Sequence, residues 1–501
     1  MRKSIMNLSN TKLLTCDQGN LVPIGLMDVS PGDTFRHDTS LLIRTQPLLA
    51  PVMHKCTVTI HHWFVPLRLV HEEFEEFITG GIAGNTTVQA PTIDSPVGGF
   101  DIGTLADFLG LPVGVENMEV SALPFRAYGL IYNNFYLDQQ LQTPVEVSLA
   151  SGVDTTTSTD LQNAAWMKDY FTSARPQPQL GAEVTIPLTG DAPVLGFGNN
   201  NNDWSQSGSV TEADGNAASY TEGRFIYADS EGPVAGRHMV EKHPDHDGPH
   251  LRADLSNVSA VSLSDLRLAA AIQRFKEKAN RGGARYVEWL QSFFKSRAQD
   301  QRLQIPQYIG GGRATLQFSE VLNTADTTEV GGDPVGTLKG HGIAAGKSNR
   351  YKFHAPEHGF IISLMCVRPK TMYTQGQHRL WNRRSRYDYL IPDLANLSDQ
   401  EIENREIYAA HTDPTGTFGF APRYDDYRTI PNTIAGDFRD SLDFWHLGRE
   451  FVSDPALNSD FITANPTDRV YATDEDQLQI QVLNTVKVKR CLPKYAKPYL
   501  Y

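Results

Sequence analysis

Hydrophobic and polar positions change their period several times along this chain, and the changes mark its elements. The densest stretch is 29–81. There a turn at Ser30-Pro31-Gly32-Asp33 leads to the apolar run Leu41-Leu42-Ile43, a crossing bounded by Pro47 and Pro51, and a second extended run from Cys56 to Leu69. In that second run Val58, Ile60, His62 and Phe64 share one face of a strand, while Thr57, Thr59, His61, Trp63 and Val65 share the other. Bulk on both faces predicts a central strand in a sheet covered on both sides, by a second sheet or by a neighbouring subunit.

The period then lengthens. After Leu123-Pro124, the residues Tyr128, Ile131, Tyr132 and Phe135 recur at helical spacing and predict an amphipathic helix packed on the sheet. A second helix is predicted from Ser262, with Leu268, Ile272, Phe275 and Ala279 on one face and Gly282-Gly283 as its stop; a third from Arg285 would bury Tyr286, Trp289, Leu290, Phe293 and Phe294. Strand patterns return at 350–354 and 360–367, and again in a final strand at 478–488. Residues 1–28 lack a clear period and read as an N-terminal arm lying on a neighbour or on an inner surface. Residues 82–120 read as loops and short strands. The segment 195–256 is polar and Gly-rich, with Asn199-Asn200-Asn201-Asn202, Trp204 and a His/Asp run, and holds little that could form a core. A loop of about 60 residues inside a compact domain is normally functional.

Composition narrows the class. A chain of 501 residues accommodates two or three ordinary domains or one large β-domain with insertions. The formal charge of -13 argues against a surface that grips nucleic acid everywhere, because that grip needs clustered cations, but it leaves room for local basic patches. The four cysteines, Cys16, Cys56, Cys366 and Cys491, form no Cys-x-x-Cys pair and are expected to be reduced, buried and inert. With no apolar segment behind Arg2 and Lys3 and no apolar run of about 18 residues, the expectation is a soluble protein of a reducing cytoplasm without membrane insertion. The sequons at Asn85, Asn257 and Asn396 then carry no meaning.

Several enzyme signatures fail on a physical point. Gly342 to Ser348 resembles a phosphate-binding loop, but three residues instead of four separate Gly342 from Gly346, and the chain that follows alternates like a strand where a helix N-terminus is needed. His71-Glu72-Glu73-Phe74-Glu75 begins like a zinc-protease helix, yet Glu75 stands where the second histidine belongs. Gly310-Gly311-Gly312 reads as a turn. His61 and His62, adjacent on a strand, point to opposite faces and cannot share a metal. The run containing His243, Asp245, His246 and Asp247 is the densest set of ligand types, and a solvated loop is its simpler reading.

Two stretches combine cations with aromatic faces, the mixture that binds single-stranded nucleic acid. One holds Arg379, Arg383, Arg384 and Arg386 around Trp381, Tyr387 and Tyr389. The other holds Lys487, Lys489, Arg490, Lys494 and Lys497 with Tyr495, Tyr499 and Tyr501. Arginines of this kind equally hold subunit interfaces through carboxylates.

A set of motifs resembles the major capsid protein of the microviruses, small single-stranded DNA bacteriophages, and within them the gokushovirus branch. It comprises Pro31-Gly32-Asp33-Thr34-Phe35, Arg44 with Pro47 and Pro51-Val52-Met53, Phe64-Val65-Pro66-x-Arg68, and Glu76-Phe77-Ile78-Thr79-Gly80. Asp169-Tyr170-Phe171, residues 269–290 and 300–311, Ser319-Glu320-Val321-Leu322 and Glu357-His358-Gly359 extend the match, which covers nearly the whole chain except 195–256.

The resemblance implies a mainly β fold: an eight-stranded antiparallel jelly roll of capsid type over 29–501, with helices and long insertions in its connections. It further implies self-assembly into a small icosahedral shell, a virion component assembled in the bacterial cytoplasm. The implied partners are a single-stranded DNA genome, a small basic DNA-binding protein, an internal scaffolding protein, a DNA pilot protein and a bacterial surface receptor. The insertion 195–256, with Asn199 to Asn202 and Trp204, would protrude near the three-fold axes towards that receptor. No catalytic group and no cofactor is implied, and a structural divalent cation between subunits stays open. A β-sandwich carbohydrate-active hydrolase, whose carboxylates meet only in space, and a carbohydrate-binding module are the alternative readings.

Overall fold

In the computed structural model, described residues comprise 3–81, 86–182, 263–282, 304–324, 335–397 and 399–494, with isolated positions and short strands between 184 and 293. The chain divides into two compact units, Met1–Leu180 with Glu277–Tyr501, and Gly181–Lys276.

The first unit is built on strands β1 (Ser4–Asn7), β2 (Asn10–Cys16), β3 (Val22–Val29), β4 (Thr34–Thr45) and β5 (Cys56–Pro66). A connection follows that carries α1 (Phe74–Thr79), β6 (Thr92–Asp94), α2 (Leu105–Leu109), β7 (Glu119–Ser121) and α3 (Leu123–Phe135). After α4 (Leu263–Gly282) come β8 (Gln307–Leu322), β9 (Leu338–Lys347), β10 (Tyr351–His354), β11 (Gly359–Pro369), β12 (Gln400–Glu403), β13 (Thr417–Ala421) and β14 (Leu478–Arg490).

Ten strands form one antiparallel ladder in the order β1-β14-β4-β9-β8-β5-β11-β3, with β10 added to β4 and β2 to β14. The ladder curls because β8 belongs to two layers. Its first part, Gln307 to Leu316, pairs with β5, and its second, Gln317 to Leu322, pairs with β9. The layers close on apolar residues contributed by both, among them Phe35, Phe64, Phe353, Ile361, Val486 and Val488 at one end and Ile43, Val58, Ile60, Val367, Ile480 and Val482 at the other. This is the architecture of a jelly roll, as expected from the sequence.

Strand β5 occupies the central position its two bulky faces predict, between β8 and β11. Val58, Ile60 and Phe64 fill the space between the layers, while Trp63 and Val65 pack with Phe125, Tyr128, Ile131 and Tyr132 of α3. Tyr128 donates its hydroxyl proton to the Leu21 carbonyl at 2.9 Å, tying the helix to the turn before β3. Phe135, the last residue of the helical stripe, stays partly exposed and stacks on Trp63 with ring centroids 4.0 Å apart.

Four expectations need correction or restriction. The segment expected to be an N-terminal arm on a neighbour or an inner surface forms strands from Ser4 onward: β1 and β2 pair with β14, and β3 pairs with β11, so it is stitched into its own sheet. Gly310-Gly311-Gly312 is not a turn; it lies inside β8 at a register shift opposite β5. Helix α4 forms, but Leu268, Ile272 and Phe275 are exposed and only Ala279 of the predicted face is buried. Most of the predicted helix after Arg285 lies outside the described residues, as does most of 195–256, where short strands such as Val194–Leu195 paired with Arg252–Ala253 are described.

Candidate nucleic-acid interface

The arginine-rich stretch folds as two 3-10 turns, Arg379–Trp381 and Arg386–Asp388. Ser385 and Asp388 cap the second turn reciprocally, which explains why a short polar segment holds a defined shape. Its arginines then separate by role. Arg379 donates to Glu406 at 2.9 Å and to the Glu401 carbonyl at 2.6 Å. Burial pushes the Glu406 carboxyl above its ordinary range, and the Arg379 guanidinium pulls it back. Arg383 donates to the buried Asp426 at 2.6 Å and lies 4.2 Å from the centre of the Tyr427 ring. Both are committed to carboxylates within the chain and are not free to meet phosphate. Arg384 and Arg386 are exposed beside Trp381, Tyr387 and Tyr389, each at least half exposed. Arg386 sits over the Tyr387 ring at 4.7 Å.

In the second stretch, strand alternation decides the outcome. Lys487 and Lys489 lie on the exposed face of β14, whereas Val486 and Val488 between them are fully buried. Arg490 turns to Asp33 at 2.7 Å and to the Asp28 carbonyl at 2.8 Å, so it ties the end of β14 to the loops around β3. Lys494 is exposed beyond the strand, and Lys497 lies outside the described residues. Two cations that sequence reasoning missed complete the picture. Arg36 of β4 stands directly beside Lys487 on one side and beside Lys352 of β10 on the other. The signal was present as the alternation of β4 and β10, but the pairing of strands more than 300 positions apart is invisible in a linear pattern.

The remaining candidates are placed less fully. Asn199 ends a short strand, Phe197–Asn199, paired with Val210–Glu212. Asn200, Asn201, Asn202, Trp204, His243, Asp245, His246 and Asp247 lie outside the described residues. Among the described residues no group of three His, Cys, Asp or Glu side chains could hold a metal ion, and no helix is long and apolar enough to cross a membrane. His61 and His62 point to opposite faces as expected: His61 meets the Tyr136 hydroxyl at 2.6 Å, and His62 meets Ser363 at 2.7 Å between the layers.

Comparison with known proteins decides what this scaffold is. The family model described as capsid protein (F protein) matches residues 1–500. The chain belongs to this phage capsid protein family. It is 36% identical over 463 positions to capsid protein VP1 of Bdellovibrio phage phiMH2K, covering 89% of this chain and 85% of that one. It is 32% identical to capsid protein VP1 of Chlamydia phage 1, covering 100% and 96% of the two chains, and 31% identical to that of Spiroplasma virus 4, covering 99% and 95%. The resemblance read from the motifs, to gokushovirus-type microviruses, is borne out. The protein is a structural major capsid protein, a component of a virion, and the hydrolase and carbohydrate-module readings have no support left.

Proposed function

We propose that this capsid protein assembles into a small icosahedral shell around a circular single-stranded DNA genome and performs no catalysis. The observation that carries the reading is the match of the capsid family over residues 1–500 of a chain whose described core is one two-layer antiparallel sheet. In such a shell, function is self-association, and specificity resides in complementary surfaces. Exposed apolar side chains on the first unit, including Leu13, Met53, Ile102, Ile430 and Val452, supply material for subunit contacts.

The genome is the inner partner, together with a small basic DNA-binding protein and a DNA pilot protein; an internal scaffolding protein acts during assembly in the host cytoplasm. Of the residues read as facing nucleic acid, Trp381, Arg384, Arg386, Lys487 and Lys489 remain exposed and available. The insertion 195–256 faces outward near the three-fold axes and meets the bacterial receptor. Divalent cations bridging subunits, with His243, Asp245, His246 and Asp247 as the candidate ligands, remain secondary to this reading and are tested by chelation of assembled particles. Cryo-electron microscopy of the protein co-expressed with its neighbouring phage genes tests the whole. Uniform small icosahedral particles with knobs at the three-fold axes are expected, and monomers under all conditions would overturn it.

A further inference from the structure

We infer that one exposed sheet face, centred on the cation row Lys352-Arg36-Lys487 with Lys489 beside it, is the phosphate-binding surface of this protein and therefore the side of the subunit that faces the genome. The inference rests on the shell reading above and adds to it an orientation and two residues.

Three strands make the row. Arg36 of β4 is in register with Lys352 of β10 and with Lys487 of β14, so the three side chains emerge on one face. Adjacent strands lie about 4.8 Å apart, close enough for like charges to repel. Lys489, two residues on from Lys487, shares that face next to Thr34. Among the described residues none of the four has an ion-pair partner. Lys347 and Arg350 flank the row, and both are drawn to a single carboxylate, Asp38, at 3.0 and 2.9 Å. Farther along the same face stands Arg44, in register with Gln479 and Ile343.

The sign of this face is opposite to that of the chain. The sequence holds 58 acidic against 45 basic side chains. Yet the exposed positions of β4, β9, β10 and β14 carry no acid, Asp38 on the same face being buried, while Arg36, Arg44, Lys347, Lys352, Lys487 and Lys489 are basic. Unpaired cations set side by side across a ladder destabilise the sheet unless an anion covers them. A phosphodiester chain is the anion that fits a row of point charges: lysines and arginines neutralise successive phosphates and release counterions. No Phe, Tyr or Trp side chain shares the exposed positions of these four strands, so the contact reads charge and not bases. Stacking, where it occurs, belongs to the separate patch at Trp381, Tyr387 and Tyr389.

The test is the salt dependence of binding of a labelled oligothymidylate to the purified full-length chain, for the wild type and for Arg36→Gln/Lys352→Gln/Lys487→Gln/Lys489→Gln. Each lost phosphate contact on a single strand lowers the slope of log K against log salt by about 0.7, so the quadruple variant is expected to lose about 3 from the slope. A charge-retaining variant, Arg36→Lys/Lys352→Arg/Lys487→Arg/Lys489→Arg, restores it. If the quadruple variant fails to fold, Lys487→Gln/Lys489→Gln alone is expected to lose about half as much. Exchange of Lys55 and Lys370, exposed elsewhere on the first unit, for Gln leaves the slope unchanged. An unchanged slope in a folded quadruple variant overturns the inference. So does unchanged DNA binding with lost particle assembly, which would make this face the seat of an acidic protein surface. Failure of the wild-type chain to form particles at all would instead overturn the shell reading.

Discussion

Between the two layers the protein buries histidines as neutral groups, and that choice ties its stability to pH. His37 accepts or donates to the Tyr351 hydroxyl at 2.8 Å and lies against His62, with ring centroids 4.7 Å apart. His62 is fully buried, and its Nε2 meets no hydrogen-bond partner among the described residues. Burial pushes His37 down to about 4 and His62 down to about 3, the latter aided by the neighbouring histidines; His54 is likewise lowered to about 4 by burial. Their unfolded values lie near 6.5. Between roughly pH 6.5 and 4 the unfolded chain therefore binds protons that the folded chain refuses, so stability is full above this window and falls as pH drops through it. Each buried histidine contributes about 1.4 kcal/mol per pH unit inside the window. Melting temperatures recorded from neutral to acidic pH are expected to fall accordingly, and His62→Gln is expected to flatten the fall by about one proton's worth. A second residue-scale prediction concerns Arg126, an arginine inside a helix that the apolar pattern of α3 gave no reason to single out. It is fully buried, pairs with Asp154 at 2.7 Å and donates to the Val70 and Ala150 carbonyls at 2.9 Å. Arg126→Ala strands the buried Asp154 charge and is expected to cost about 3–5 kcal/mol in chemical denaturation.

At the scale of elements, the ladder was legible wherever a strand carries its own pattern. The alternation of β5, the apolar run of β11 and the final alternation of β14 each forecast a strand, and α3 its helix. What escaped the pattern was decided by partners distant in sequence. Strands β1, β2 and β3 look unpatterned because β1 and β2 face solvent on one side, while β3 carries polar or small residues at Gly25 and Asp28; only β14 and β11 make them strands. The Gly310-Gly311-Gly312 run misleads in the same way. Glycine inside a strand marks a bulge or a close approach of another backbone, and here it marks both. A Cβ at Gly311 would stand 2.4 Å from the Ile60 carbonyl oxygen, and one at Gly312 would stand 2.7 Å from the Ser348 Cα. Both glycines lie in the part of β8 that pairs with β5. Gly312→Ala has no flexible side chain to push aside, so overpacking is expected to cost about 1–3 kcal/mol, measurable as a lowered denaturation midpoint. The candidate site followed the same rule: the cations were readable as a list, but which were spent on Glu406, Asp426 and Asp33 depended on the fold.

For the whole molecule, the decisive feature is that, among the described residues, the hydrophobic clusters of the first unit draw nothing from the insertion. All four hydrophobic clusters draw on residues before 181 or after 276. Exposed apolar residues of α4, such as Leu268 and Ile272, add nothing to those clusters. The insertion also returns to its starting point, because Leu195 is in register with Arg252 and Val194 with Ala253 across an antiparallel pair. A two-residue turn suffices to join strands so arranged. Replacing 196–251 by an Asn-Gly turn therefore removes no described core contact, and shortening a loop lowers its closure entropy by about 0.6 kcal/mol for each halving of length. The shortened protein is expected to melt within a few degrees of the wild type and to assemble into particles that lack the three-fold knobs. Adsorption to host cells, measured by loss of free particles from the supernatant, is expected to collapse. Normal adsorption by such particles would remove the insertion from host attachment. Failure to assemble, with the fold intact by circular dichroism, would make it a contact between subunits instead.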